Sequence, residues 1–460
     1  MKFRSTLILL LLAAGLFAYI WFVERNRPTT REAREQSQRV AKIDRDEFDA
    51  ISIKSPEDKL ELRKKDNVWF LEEPVKDRAD SMAINQLFTT VETLKHDAAI
   101  GADGKAPTKE QIREFGLGDP DTKVRFAGKD KRVEFEFGKD AAVEGKVYLK
   151  IEDKSVVYVV GSDFKNQVAK KADEFRDKKL TDLSTGLLTK AIIKTAQGEI
   201  ELEKKDKHWQ ITRPLNARGD DAKIGDVLSQ ATTARIESFV ADSANLSAYG
   251  LQEPRGTVTL YSEGSEQPAI LQIGTNPGDE KDKEKTYAKL STRDSVVLLP
   301  KSIESLLETK PNDLRDKSLV RVESDIVDRI IIEAPGKEKI VLARSGETWV
   351  RKTDKDLPIN APAANKLLTT LQTQQVASFV ADVATDLPKY GLDQPQRKVT
   401  LSSYASENTA ETKAGEMPIV TILFGKVEGE NVYAKLDEEP FIVSVNEVVL
   451  QDLYTDPLQW

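Results

Sequence analysis

Leu60–Trp69 reads LELRKKDNVW, Ile200–Trp209 reads IELEKKDKHW and Ile340–Trp349 reads IVLARSGETW. The stretches align without a gap, and their tryptophans stand at a constant interval of 140 residues. Apolar residues alternate at Leu60/Leu62, Ile200/Leu202 and Ile340/Leu342, the period of a strand with one buried face. The polar centres (Lys65-Asp66-Asn67, Lys205-Asp206-Lys207, Ser345-Gly346-Glu347) predict hairpin turns that return the chain into a Trp-bearing strand. One folding pattern is written three times.

The register holds further along. Asp80, Asp220 and Asn360 share one position, and each side chain is of a type that caps a helix by accepting backbone N–H bonds. Leu87-Phe88-Val91, Val227-Leu228-Ala231 and Leu367-Leu368-Leu371 follow, a helical stripe expected to lie on the sheet. Later landmarks drift by a few residues. Phe115-Gly116-Leu117, Tyr249-Gly250-Leu251 and Tyr390-Gly391-Leu392 precede Pro120, Pro254 and Pro395. Ser238–Asp242 and Ser378–Asp382 both read SFVAD. Phe137-Gly138, Ile273-Gly274 and Phe424-Gly425 end strands, and Tyr148–Ile151, Tyr287–Leu290 and Tyr433–Leu436 begin the next. A last strand and a short helix lead to Phe175–Leu180 (FRDKKL) and Leu314–Leu319 (LRDKSL); in the third copy this exit degrades to Leu453–Trp460. The expected fold is three tandem α+β units of about 140 residues, each with three strands, a helix, four strands and a helix, long enough for separate cores.

Ahead of the copies, residues 7–23 read LILLLLAAGLFAYIWFV without a charge, which predicts a transmembrane helix at the short end of the spanning range. The bulky end, Tyr19-Ile20-Trp21-Phe22, suits an uncleaved anchor better than a peptidase site. Lys2 and Arg4 precede the run, whereas Arg25, Arg27, Arg31, Arg34 and Arg39 follow it. Counting cations alone would place the bulk inside. A short basic leader and the ease with which long domains translocate favour the opposite: residues 1–6 inside, the anchor in the cytoplasmic (inner) membrane, and the bulk extracytoplasmic. Residues 24–44 read as a charged stalk, 45–183, 184–322 and 323–460 as the three repeats.

The landmarks resemble the bacterial domain-of-unknown-function family 4340, whose members carry an N-terminal membrane helix and tandem copies with a Trp strand, a Tyr-Gly-Leu-x-x-Pro turn and a Gly before a Tyr strand. The resemblance runs from about Phe48 to the end. The family has no established activity; neighbouring genes for ABC-type transport and gliding motility imply an envelope accessory. The first copy departs at the turn, with Phe115 and extra residues around Gly101–Lys105.

Chemistry is sparse. The 460 residues include no Cys and two His, with 32% charged residues and a net charge of −8. Thiol nucleophiles, disulfides and Cys/His zinc sites are excluded, and the acidic balance argues against nucleic acid as partner. His208 aligns with Val68 and Thr348, and His96 has no evident partner. Ser162–Lys165 has S-x-x-K spacing without companion motifs, and the acidic groups Asp44–Glu47 and Asp279–Asp282 lack calcium-loop spacing. No catalytic, cofactor or metal residue is nominated. The recurrent candidate is Tyr-x-Lys: Tyr148/Lys150, Tyr287/Lys289 and Tyr433/Lys435 lie two apart on one strand face and could meet sugars or carboxylates. The favoured reading is a non-catalytic scaffold of an envelope complex, such as an ABC-type transporter; a cell-wall or polysaccharide binder and an envelope hydrolase are the alternatives.

Overall fold

The computed structural model describes residues 37–241, 245–353, 355–403 and 417–460, with Gly15, Phe17 and Trp21. The first copy contains β1 (Ala50–Lys54), β2 (Lys59–Lys65), β3 (Val68–Glu73), β4 (Asp77–Arg78), β5 (His96–Ile100), β6 (Thr122–Ala127), β7 (Arg132–Asp140), β8 (Lys146–Ile151) and β9 (Val157–Gly161). The second repeats them as β10 (Leu188–Thr195), β11 (Gly198–Lys205), β12 (His208–Arg213), β13 (Ala217–Arg218), β14 (Ser238–Ala241), β15 (Gly256–Ser262), β16 (Ala269–Ile273), β17 (Lys285–Leu290) and β18 (Val296–Pro300). The third runs β19 (Arg329–Glu333), β20 (Ile340–Ser345), β21 (Thr348–Arg351), β22 (Leu357–Pro358), β23 (Val376–Ala381), β24 (Arg397–Ser403), β25 (Met417–Glu428), β26 (Asn431–Leu436) and β27 (Ile442–Asn446).

Each copy forms a nine-stranded sheet with the same order, β4-β3-β2-β1-β6-β7-β8-β9-β5 in the first. One long helix joins the two edge strands: α1 (Ser81–Thr93), α2 (Asp221–Thr232) and α3 (Ala361–Thr373). This corrects the expected α+β unit of seven strands and two helices. The fold is predominantly antiparallel sheet. The two strands missed per copy are edges: β4 has two residues, and β5 reads HDAAI with no alternation to reveal it. The closing helix is only Asp163–Val168 in the first copy and a 3₁₀ segment, Glu447–Asp452, in the third. The expected transmembrane helix finds no counterpart among the described residues. No helix among the described residues is long and apolar enough to cross a membrane, and 7–23 lies outside them apart from Gly15, Phe17 and Trp21.

The chain divides into two compact units. One is Met1–Leu180 with Arg235–Ala244 and Arg293–Leu298; the other is Thr181–Ala234, Asn245–Thr292 and Leu299–Trp460. In the first unit, Ile51, Ile53, Leu60, Leu62, Val124 and Phe126 point to one sheet face and are buried. The stripe Ile84, Leu87, Phe88 and Val91 of α1 covers them, with Phe88 at 6.0 Å from Trp69 and 5.2 Å from Phe126 between ring centroids. The end of the charged stalk belongs here too: Val40 and Ile43 are part of this core, and Val40 donates its N–H to Leu94 O at 3.0 Å. In the second unit, Trp349 is 1% exposed and donates Nε1–H to Asn365 Oδ1 of α3 at 3.0 Å.

The β2–β3 and β11–β12 hairpins turn through two residues of positive φ, Asp66 (49°) and Asn67 (64°), Asp206 (48°) and Lys207 (71°), whose twist matches that of the strands they join. Asp80 and Asp220 cap their helices, accepting from Met82 N at 2.7 Å and Ala222 N at 3.1 Å. Asn360 makes no such side-chain bond; a proline occupies the first turn of α3 instead. What the three share is a backbone contact. Asp80 N–H donates to Phe175 O (2.8 Å), Asp220 N–H to Leu314 O (2.8 Å) and Asn360 N–H to Trp460 O (3.0 Å). The third exit is therefore not degraded: Trp460 sits where Phe175 and Leu314 sit.

Trp349→Ala should lower the stability of the second unit by about 3–5 kcal/mol, and Trp69→Ala, at a half-buried position, should lower that of the first by less; calorimetry of both variants checks this. Asp452 offers a pH test. Burial works to raise its pKa, but bonds from Lys366 Nζ and Thr370 Oγ1, both at 2.7 Å, outweigh it and hold the carboxylate below its ordinary value. A depressed folded pKa stabilises fully above about pH 4 and is lost as the pH falls through the folded value. Asp452→Asn should accordingly cost about 1–2 kcal/mol near neutrality, the gap from wild type closing in acid; urea titrations at several pH values measure it.

Candidate interaction faces

Helices cover one face of each sheet, so the residues that alternate with the core line the other. Tyr148, Tyr287 and Tyr433 stand on this open face, half-buried, each beside its lysine. Their rings are already engaged. Tyr148 stacks on Phe115 at 4.3 Å, Tyr287 tilts on Tyr249 at 4.8 Å, and Tyr433 meets Tyr390 edge-on at 5.0 Å. The partner is in every case the aromatic of the Phe/Tyr-Gly-Leu turn. The glycine of that turn has a positive φ of 75°, 64° or 66° at Gly116, Gly250 and Gly391. It lets the turn lie flat on the sheet, and Leu117, Leu251 and Leu392 are buried beneath. Gly138, Gly274 and Gly425 are the floor: a Cβ there would come within 2.1–2.2 Å of the carbonyl of Phe115, Tyr249 or Tyr390. Three motifs that are separate in sequence thus build one clasp.

The lysines are tied down as well. Lys150 Nζ lies 3.4 Å from Glu136, and Lys435 Nζ donates to Leu436 O at 2.8 Å. Lys289 is half-buried, stands opposite Gln272 of β16 and is likewise engaged by the chain. In Tyr148/Lys150, Tyr287/Lys289 and Tyr433/Lys435 the two side chains do share a face, but each already has a neighbour that holds it. Tyr433 donates its hydroxyl to Glu428; that bond and burial push its pKa up. Burial, helped by Tyr249, raises that of Tyr287.

A family model described as "Domain of unknown function (DUF4340)" matches residues 69–208, 209–380 and 349–460. The chain belongs to the DUF4340 family. No curated protein matches it. A crystal structure of a DNA polymerase sliding clamp from Pseudomonas aeruginosa aligns over 90% of this chain and 94% of that chain, at 6% identity and a TM-score of 0.15, too low to bear on fold or function.

The other polar candidates in this DUF4340 protein resolve individually. His208 Nδ1 lies 2.7 Å from Asp221 Oδ2, and Asp221 Oδ1 accepts from Trp209 N at 2.7 Å. Burial opposes ionisation of Asp221, but these bonds prevail and lower its pKa. The pair is exposed and ties β12 to the start of α2. His96 packs on Tyr158 at 5.3 Å. Lys165 donates to Gly138 O at 2.9 Å, and Ser162 makes no side-chain cap bond to the helix it precedes. Asp44 caps a 3₁₀ turn through Asp46 N–H, and Asp282 pairs with Lys285 at 2.9 Å. Among the described residues, no three acidic or histidine side chains gather into a metal-binding group.

The centres of the open faces differ in chemistry. The first is an ionic lattice: Lys123–Glu136 at 2.7 Å, Arg125–Glu134 at 2.6 Å and Arg132–Glu152 at 2.9 Å. A shallow cavity of about 180 Å³ lies over it, lined by Ser52, Lys59, Glu61 and Lys123 among others. The second is mixed, with Lys190 and Arg213 on Glu201 and the exposed Ile270 three strands away in the same row. In the third, Ile331 and Val341 pair across β19 and β20, and Thr400 and Thr421 bond at 3.1 Å. Sequence alone revealed the Tyr-x-Lys strands but not this divergence, whose signal is the outward residue of each alternating strand.

Gly425→Ala should open the third clasp and lower stability by about 2–4 kcal/mol. Denaturant unfolding together with loss of amide protection at Leu392 would register it; unchanged protection would mean the close approach is not real.

Proposed function

We propose that this DUF4340 protein is a non-catalytic scaffold of the bacterial envelope, an accessory of an ABC-type transport or gliding-motility complex, with its bulk on the extracytoplasmic side. The observation that carries the reading is one backbone used three times with three different open faces: ionic in the first copy, mixed in the second, aliphatic and hydroxylic in the third. A protein that repeats a fold and varies its outward residues gains several contact surfaces on one chain, and linked sites raise avidity without any one contact being strong. The placement at the envelope is supported by the uncharged run Leu7–Val23.

A wall or polysaccharide binder using Tyr148, Tyr287 and Tyr433 is less well supported. Sugar stacking needs a free ring face, and these rings lie against the turn aromatics.

A photocrosslinking residue placed at Arg132, Gln272 or Thr421 in living cells should capture envelope proteins, with a different set from the first and third faces. Capture of no protein at any of the three positions would contradict the scaffold; retention on peptidoglycan abolished by Tyr287→Ala and Tyr433→Ala would favour the wall binder.

A further inference from the structure

The arginine that leaves one copy is buried against the copy that follows. In the first unit Arg176, 1% exposed, lies 3.6 Å from the ring centroid of Phe239. Its Nε donates to Asp77 Oδ2 at 2.9 Å, its Nη1 to Asp173 Oδ1 at 3.1 Å, and its Nη2 to Ser295. Arg293 reaches the same Asp77 oxygen at 3.4 Å and donates to Asp177 O and Lys179 O at 2.9 and 2.8 Å. In the second unit Arg315, fully buried, lies 3.5 Å from Phe379 and 4.5 Å from Phe441. Its Nη1 bonds Asp382 at 2.6 Å and Asn312 at 3.3 Å.

The parts correspond and their chemistry is exchanged. Strand pairing equates Asp77, opposite Leu71, with Ala217, opposite Ile211. Counting from Tyr287 and Tyr433 equates Arg293 with Glu439 and Ser295 with Phe441. Where the first joint has Asp77 below and an arginine above, the second has Ala217 at the Asp77 position and a glutamate above, and Arg218 Nε turns to that glutamate at 3.1 Å, while Arg218 Nη1 also lies 3.6 Å from Asp316. A second observation agrees. Among the described residues, Arg315 Nε and Nη2 are buried without a hydrogen-bond partner, and Nε is the atom through which Arg176 holds Asp77.

We infer that the two joints are keyed against each other: the exit surface of the first copy accepts only the second, and that of the second accepts only the third. Glu439 set against Asp77 would bury like charges, and Arg293 set against the second exit would meet Arg218 as it already meets Arg78 but without the Asp77 carboxylate that offsets it in the first joint; such mismatches are costly away from water. The device fixes which sheet docks on which exit and is independent of what their open faces bind.

The test is trypsin cleavage of the full chain within Arg315–Arg321, the segment linking the second and third copies, with amide exchange in β20 and β21 reporting whether the third copy is folded. Glu439→Arg should speed cleavage at least tenfold. The double variant Ala217→Asp/Glu439→Arg rebuilds the first joint's key and should return the rate to within about threefold of wild type. Ala217→Asp alone supplies Arg315 Nε with an acceptor and should not speed cleavage. Should Glu439→Arg unfold the third copy, rescue of exchange protection by the double variant supports the key equally. Wild-type cleavage in the single variant, or a double variant no better than the single, overturns it.

Discussion

One backbone hydrogen bond sets the form of each copy. The residue that opens the helix, Asp80, Asp220 or Asn360, gives its N–H to the carbonyl that ends the same copy, at Phe175, Leu314 or Trp460. The donor follows the fourth strand and the acceptor follows the last short helix, so the bond closes a span of about 95–100 residues. An N–H at a helix start has no partner within its own helix, and the chain supplies one by returning its own end. Because the closing carbonyl is fixed, the next residue in the first two copies, Arg176 or Arg315, must leave in a fixed direction. That direction leads onto Phe239 or Phe379.

The core and the clasp occupy opposite faces of the sheet and make different demands. The core face needs volume, which Phe135 and Phe137 fill in the first copy and Leu271 and Ile273 in the second; such exchanges are tolerated when total volume is kept. The clasp needs close approach of backbone to backbone, which only glycine provides at Gly138, Gly274 and Gly425. Hence the core varies among copies while the glycines stay.

Much of this was legible in the residues. The alternation around Trp69, Trp209 and Trp349 revealed the hairpins and the repeat. The edge strands were not legible, because two residues at Asp77–Arg78 or an open strand such as HDAAI carry no burial pattern. The joint was legible in a form easy to overlook. The Arg-Asp-Lys exit occurs in the first and second copies and SFVAD in the second and third, the pattern expected when each exit docks on its successor. The aromatic pairs that occupy the Tyr-x-Lys tyrosines could not be read off, since the turn and the strand are separated by 33–43 residues. The matched family segments also begin at residues 69, 209 and 349, inside the third strand of each sheet. The first segment therefore joins most of one sheet to the opening strands of the next.

The central claim is that three sheets are each closed by the helix-start N–H. Residue-resolved amide exchange on residues 37–460 addresses it most directly. The account predicts that the amides of Asp80, Asp220 and Asn360 exchange as slowly as those in the central strands β1, β10 and β19. Rapid exchange at these three positions, with the central strands still protected, would contradict it.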